Sequence, residues 1–220
     1  MTNPAATTVT SNPATLTVNE AEFVSAPSAV TPAVDPETNR TFSREPVITT
    51  SAFVSEYAGS THFSSFWRIR RTADNVVIYD TGSTFIQGDT GNKTSFTVPA
   101  GTLEFDTAYY VQVKFRDNNG RESNFSTLAN FTTPFVDQPN IQTITPAFNP
   151  VVNVDPAQIK SGYQHTSSDW QFSPTNTFAT IVHQSLGNTA NLTSYTLPQS
   201  VNLNADTTYY VRIRFNVNPI

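Results

Sequence analysis

The chain has 220 residues with 12 basic and 17 acidic side chains, a net charge of −5 and no cysteine. Without a bulk positive surface it has no electrostatic footprint for nucleic acid, and without thiols it can form neither a disulfide framework nor a thiolate metal site. Fifteen prolines, eight glycines and many Thr, Ser and Asn residues between short apolar runs exclude long helices and read as an all-β chain with room for two domains of about 100 residues.

Residues 1–22 hold few large apolar groups to offset the entropy of ordering them, which reads as an extended N-terminal arm. Within it Thr15, Leu16, Thr17 and Val18 form a short strand-like run able to pair with an exposed sheet edge. The arm has no cationic segment followed by an apolar one, and no stretch is long enough to span a bilayer. The expectation is a chain made in the cytoplasm of its host, with no membrane partner.

Residues 23–134 form a first module, with strands expected at Ala29 to Ala33, Val47 to Val54, Phe63 to Arg71, Val76 to Asp80, Ser95 to Val98, Tyr109 to Arg116 and Leu128 to Thr132. Gly, Pro, Asn or Asp residues mark the reversals at Asp35-Pro36, Thr81-Gly82, Gly88-Asp89, Pro99 to Gly101 and Asp117 to Gly120. Short strands with turns at this spacing predict a two-sheet sandwich.

Residues 135–220 repeat the landmarks of the first module. Thr31-Pro32-Ala33 returns as Thr145-Pro146-Ala147, and Ser51 with Phe53 as Ser161 with Tyr163. His62, Ser64, Ser65 and Trp67 return as His165, Ser167, Ser168 and Trp170, and Ser95 to Pro99 as Ser194 to Pro198. The stretch LEFDTAYYVQVKF, Leu103 to Phe115, returns as LNADTTYYVRIRF, Leu203 to Phe215. Landmarks held in order at a near-constant spacing define an internal repeat. The first copy continues through a turn into a last strand, for which the second has no counterpart. Either the sequence belongs to a longer chain, or the second sandwich presents an unpaired edge that a neighbouring chain completes.

Leu103, Thr107, Tyr109, Val111 and Val113, followed by Asn119-Gly120 and Ser123, resemble the fibronectin type III signature, and Leu203, Thr207, Tyr209, Val211 and Ile213 match it again. The resemblance implies two tandem immunoglobulin-like, fibronectin type III-like β-sandwiches behind the arm, with Tyr109 and Tyr209 as corner tyrosines bonded to nearby backbone and Trp67 and Trp170 as core residues. Both tryptophans fall on the third expected strand rather than the second, and Phe105 and Ala205 stand where the corner proline is usual. The Ser-Ser-x-Trp and Tyr-Tyr-Val-x-Ile/Val-x-Phe runs are similar to repeats in virion proteins of tailed bacteriophages. That similarity implies a non-enzymatic structural component at the virion surface, a head decoration or fibre protein whose partners are other capsid or tail proteins and further copies of itself. The alternatives are a tail or baseplate appendage, or an adhesion module for host glycans.

The three histidines, His62, His165 and His183, lack any partner pattern for catalysis or metal binding, and no nucleophile motif frames a serine, so neither a cofactor nor catalysis is expected. Asp117-Asn118-Asn119-Gly120 lacks the acidic spacing and closing Glu of a calcium loop and reads as a hairpin turn. Strand alternation with Trp67, Ile69, Tyr109, Val111 and Val113 inward places Arg68, Arg70, Lys114 and Arg116 on one outer face, with Arg212 and Arg214 in the equivalent place. That face is a candidate docking surface for an acidic partner. Outward aromatics that could stack on a sugar are few, with Tyr110 and Tyr210 the clearest.

Overall fold

The computed structural model describes residues 24–28, 31–84 and 88–220. Arm residues Thr15 to Val18 lie outside them, as do Ala29 and Val30.

In the first module, β1 (Val34–Asp35) and β2 (Arg40–Thr41) form a small hairpin, and β3 (Val47–Thr49) pairs antiparallel with β6 (Ser95–Thr97). Val24 bridges Ser55 alongside that pair. The facing sheet runs β5 (Val77–Asp80), β4 (His62–Arg71), β7 (Ala108–Asp117), β8 (Ala129–Thr132). A single helical turn, α1 (Thr81–Thr84), follows β5. Alternation along β4 and β7 sends Trp67, Ile69, Tyr109, Val111, Val113 and Phe115 into a core closed by Ile48, Phe96, Val98, Leu103 and Phe131.

The second module repeats this plan with fewer strands. One sheet is β13 (Ser194–Thr196), β10 (Val151–Val154), β9 (Ile141–Ile144), and the other is β12 (His183–Asn188), β11 (Tyr163–Ser173), β14 (Tyr210–Pro219). Its core is built on Val152, Val154, Trp170, Phe172, Tyr195, Leu197 and Phe215.

The expected strands from β4 to β8 are present within a residue or so, β3 ends at Thr49, short of the expected Val54, and two further features differ. Thr31 to Ala33 are not in a strand, and β1 begins only at Val34. Phe53 and Tyr163 are not structural equivalents: Phe53 stacks on His62 at 5.0 Å, whereas Tyr163 opens β11 and packs against Phe135 at 5.1 Å.

The repeated His-x-Ser-Ser-x-Trp run is a structural device. The β4–β7 and β11–β14 registers each shift just after the histidine, so the following serines turn their hydroxyls into the sandwich. Ser65 Oγ donates to Lys93 O at 2.5 Å and Ser168 Oγ to Leu192 O at 2.6 Å, which leaves each hydroxyl oxygen to accept from Nε2 of His62 (3.0 Å) and His165 (2.9 Å). Two residues on, the indole N–H of Trp67 reaches Asn92 O at 2.7 Å, and that of Trp170 reaches Asn191 O at 2.9 Å. In each module a central strand is thus fastened to the loop entering the opposite sheet. Gly88, at φ +80°, lets that loop cross β4 in the first module: a Cβ there would meet Ser64 Oγ at 2.9 Å and Ser65 O at 3.0 Å.

The modules join end to end through charged contacts. Arg44 grips Asp137 with bonds of 3.1 and 3.0 Å, Arg40 and Lys160 meet on Asp106 at 2.7 and 2.5 Å, and the Arg40 guanidinium lies 4.2 Å over Phe135. This end of the first module carries the β1–β2 hairpin and the corner before β7. The turn after β7 lies at the other.

Candidate functional site: an open sheet edge

The tyrosine corners show how the two modules match and where they part. Glu104 N–H donates to Tyr109 Oη at 3.0 Å and Asn204 N–H to Tyr209 Oη at 3.1 Å, with Asp106 (φ 49°) and Asp206 (φ 54°) in the same left-handed turn. In the first module Thr133, just past β8, closes this corner: its Oγ donates to Glu104 O at 2.7 Å and accepts from Thr107 N–H at 2.9 Å. The second corner has no such strand beside it among the described residues.

The consequence runs the length of β14. In β7 the odd-numbered residues turn their backbone groups away from β4. There β8 pairs with Tyr109 and Val111, while Ser126 and Ser123 accept from the N–H groups of Val113 (3.1 Å) and Phe115 (2.9 Å) through their hydroxyls. The repeat puts the backbone groups of Tyr209, Val211, Ile213 and Phe215 on the corresponding edge of β14, whose only strand partner among the described residues is β11. Side chains respond in kind. Leu103, Tyr109, Val111 and Val113 are 0–2% exposed, but their counterparts Leu203, Tyr209, Val211 and Ile213 are only partly buried. Full burial of such a side chain is worth about 1.5–3 kcal/mol, and part of that remains unrealised along this edge.

The turn chemistry also differs. Asp117 is 1% exposed and its carboxylate accepts from the N–H groups of Asn119 (2.9 Å) and Arg121 (2.8 Å) and from Ser60 Oγ (3.0 Å), which makes Asp117 to Gly120 the expected hairpin turn. Its counterpart is Val217, which can cap nothing. There β14 runs straight on, pairing Val217 with His165 and Pro219 with Tyr163.

The six basic residues of the expected docking face lie on the outer side of their sheets, and most have partners. Arg68 pairs with Asp80 at 2.8 Å and lies 4.7 Å over Phe125, and Lys114 pairs with Glu122. Arg214 binds Asp169 at 2.8 Å and Glu37 of the first module at 3.1 Å. Arg70 bonds Asn75 O at 3.0 Å and Arg212 bonds Gln171 Oε1 at 2.7 Å, both neutral partners, while the Arg116 guanidinium has no polar partner among the described residues. Only Arg70, Arg116 and Arg212 therefore keep charge unmatched by a carboxylate. Phe66, between Ser65 and Trp67, is 7% exposed on this face because the loop carrying Gly88 and Asp89 covers it.

Burial lowers the pKa of His62, His165 and His183, so each stays neutral at pH 7. His183 Nε2 lies 2.7 Å from Tyr195 Oη. Among the described residues no three His, Asp or Glu side chains converge as a metal site, and no helix is long and apolar enough to cross a membrane. Of the aromatics considered for sugar stacking, the Tyr110 hydroxyl is bonded to the Asn75 side chain, and Tyr210 is 40% exposed.

No protein-family model matches the chain, and no curated protein matches it. Among solved structures the chain is similar to the FN1-FN3 domains of chicken CNTN1 (TM-score 0.38, 16% identity), covering 87% of this chain and 60% of that one. The chicken interferon gamma receptor alpha chain gives a TM-score of 0.44 at 9% identity, with 87% of this chain and 89% of that one covered. An alpha-L-rhamnosidase from Dictyoglumus thermophilum gives 0.37 at 11% identity, over 61% of this chain and 17% of the enzyme. Strand order, the repeated tyrosine corner and the paired cores make this an all-β chain of two tandem immunoglobulin-like, fibronectin type III-like sandwiches.

Proposed function

We propose that this chain is a non-enzymatic structural component of a virus particle, a decoration or fibre protein on a tailed-phage head that assembles by strand pairing and by docking of a sheet face. The observation that carries the reading is the β14 edge, where Val211 and Ile213 are only partly buried and β11 is the one strand partner among the described residues. A sandwich in that condition is suited to β-strand addition, in which main-chain bonds supply affinity and alternate side chains supply fit. The similarity of the Ser-Ser-x-Trp and Tyr-Tyr-Val-x-Ile/Val-x-Phe runs to phage virion repeats supplies the particle context. Arg70, Arg116 and Arg212, whose charge no carboxylate matches among the described residues, are the face residues that would meet an acidic shell, and the two modules project outward as a spacer.

Localisation tests the reading. The chain should band with purified particles in a density gradient, and gold-labelled antibody should mark their heads. Labelling of the tail would make it an appendage, and absence from particles would overturn the virion reading. A sugar-array signal from the free chain, lost on Tyr210→Ala, would instead favour glycan adhesion.

A further inference from the structure

We infer that Asn119 is a self-modifying residue: attack of the Gly120 backbone nitrogen on its side-chain amide converts it, through a succinimide, to aspartate or isoaspartate, and the new carboxylate pairs with Arg116. The chemistry stands apart from the particle reading above. Only its bearing on docking, the loss of one unmatched charge from the sheet face, rests on that reading.

The turn after β7 supplies the reacting groups. Asn119 is the one asparagine of the chain that precedes a glycine. Gly120, at φ +83°, has no Cβ to crowd the approach of its nitrogen to the Asn119 side chain. Asn118, Asn119 and Gly120 are all exposed, so water reaches the site. The two neighbouring amides are held differently. Asn118 Oδ1 accepts from Thr61 N–H at 2.9 Å, and Asn118 N–H donates to Thr61 O at 3.0 Å, which ties that residue in from both sides. Among the described residues the Asn119 side chain makes one long bond, from Nδ2 to Asn118 Oδ1 at 3.4 Å, which leaves its carbonyl carbon open to attack.

The Gly120 nitrogen gives its proton to solvent base and bonds Asn119 Cγ, the Cγ–Nδ2 bond breaks, and the side-chain nitrogen leaves as ammonia. Water then opens the five-membered imide. Breaking the bond to Cγ restores the backbone with aspartate at 119, and breaking the bond to the backbone carbonyl carbon leaves isoaspartate. Two features set the pace. Gly120 N–H donates to Asp117 O at 3.1 Å, a bond that must open first and that slows the reaction in the folded turn. Against this, the Arg116 guanidinium lies over Gly120, with Nη2 at 3.4 Å and Nε at 4.0 Å from where a Cβ would stand. A cation there favours loss of the amide proton and the negative charge that develops on the attacked oxygen. With no polar partner of its own among the described residues, that cation then meets the product carboxylate one residue away from Gly120.

The experiment incubates the full-length chain and its Asn119→Gln variant at mildly alkaline pH in heavy-oxygen water, with isoelectric focusing and mass spectrometry of the tryptic peptide Asp117–Arg121 as readouts. The parent should accumulate a form one charge more negative than its starting −5, with one solvent oxygen in that peptide and both aspartate and isoaspartate at 119. Asn119→Gln, whose longer side chain cannot close the five-membered ring, should keep its peptide unlabelled. An Asn119 that stays an amide while other asparagines convert, or equal labelling in Asn119→Gln, would overturn the inference. For the pairing, Asn119→Asp stands for the aspartate product. Its carboxyl should titrate at lower pH than the same carboxyl in Asn119→Asp/Arg116→Ser, and superimposable titrations would overturn the contact with Arg116. Neither measurement involves a particle, so absence of the chain from particles would leave both results standing.

Discussion

At the scale of single residues, His62, His165 and Asp117 serve as fastenings, and each makes a measurable claim. His62 and His165 are held neutral, burial being the main cause, with Ser64 O and Ser167 O opposing it weakly and Lys93 reinforcing it at His62. A histidine whose pKa is lowered on folding binds fewer protons folded than unfolded, so stability rises with pH. Its contribution is complete above the unfolded value of 6.5 and is lost as pH falls through and below it. Thermal melts should therefore drop between about pH 7 and pH 5, and a His62→Gln/His165→Gln chain should show a shallower slope, with His183 accounting for what remains. An unchanged slope would show that the protons bind elsewhere. Asp117 acts in a lower window. Its hydrogen bonds hold its carboxyl below the usual carboxylate range against the opposing effect of burial, so its stabilisation is lost only as pH falls below 3.8. Asp117→Ala removes the charged acceptor of two part-buried backbone N–H bonds and should cost about 1–3 kcal/mol in denaturant unfolding of the first module.

At the scale of elements, the contrast between β7 and β14 is the informative one, because nearly equal sequences have unequal neighbours. Ser123 and Ser126 give β7 the partners that β8 is too short to supply. Converting both to Ala should leave the amides of Val113 and Phe115 exchanging with solvent deuterium much faster, and slow exchange in that variant would show that the hydroxyls are dispensable. The same contrast marks what could be read in advance. Alternation gave the inward set of β4 and β7, because it depends only on spacing along the chain. The β1–β2 hairpin was not legible, since strands of two residues carry no period. Nor was the pairing of Arg68, Lys114 and Arg214, because Asp80, Glu122 and Asp169 come from other strands or turns, and alternation along one strand does not show what stands beside it. The Ser51–Phe53 pair was misleading for a related reason: similar residues at a similar spacing fall before β4 in one module and at the start of β11 in the other.

At the scale of the molecule, the two sandwiches are held in their relative direction by a joint built from few residues. Asp106 sits at the first tyrosine corner, one of the positions that the repeat keeps, and receives Arg40 from its own module and Lys160 from the next. The aromatic ring of Phe135 lies under Arg40 at 4.2 Å and within 5.4 Å of Lys160, so the linker itself is gripped by the cations that bind the corner. Isolated ion pairs at this level of exposure are worth little, about 0–1 kcal/mol. Two cations sharing one carboxylate across a ring are mutually positioned, however, and lose their arrangement together. Asp106→Ala should therefore leave the melting of each module nearly unchanged while broadening the range of inter-module angles. Small-angle scattering would register this as a larger radius of gyration and a less structured distance distribution. An identical scattering profile would place the stiffness of the joint in its other contacts, Arg44–Asp137 and Arg214–Glu37, and Arg44→Ala combined with Glu37→Ala would then be the variant that bends the chain.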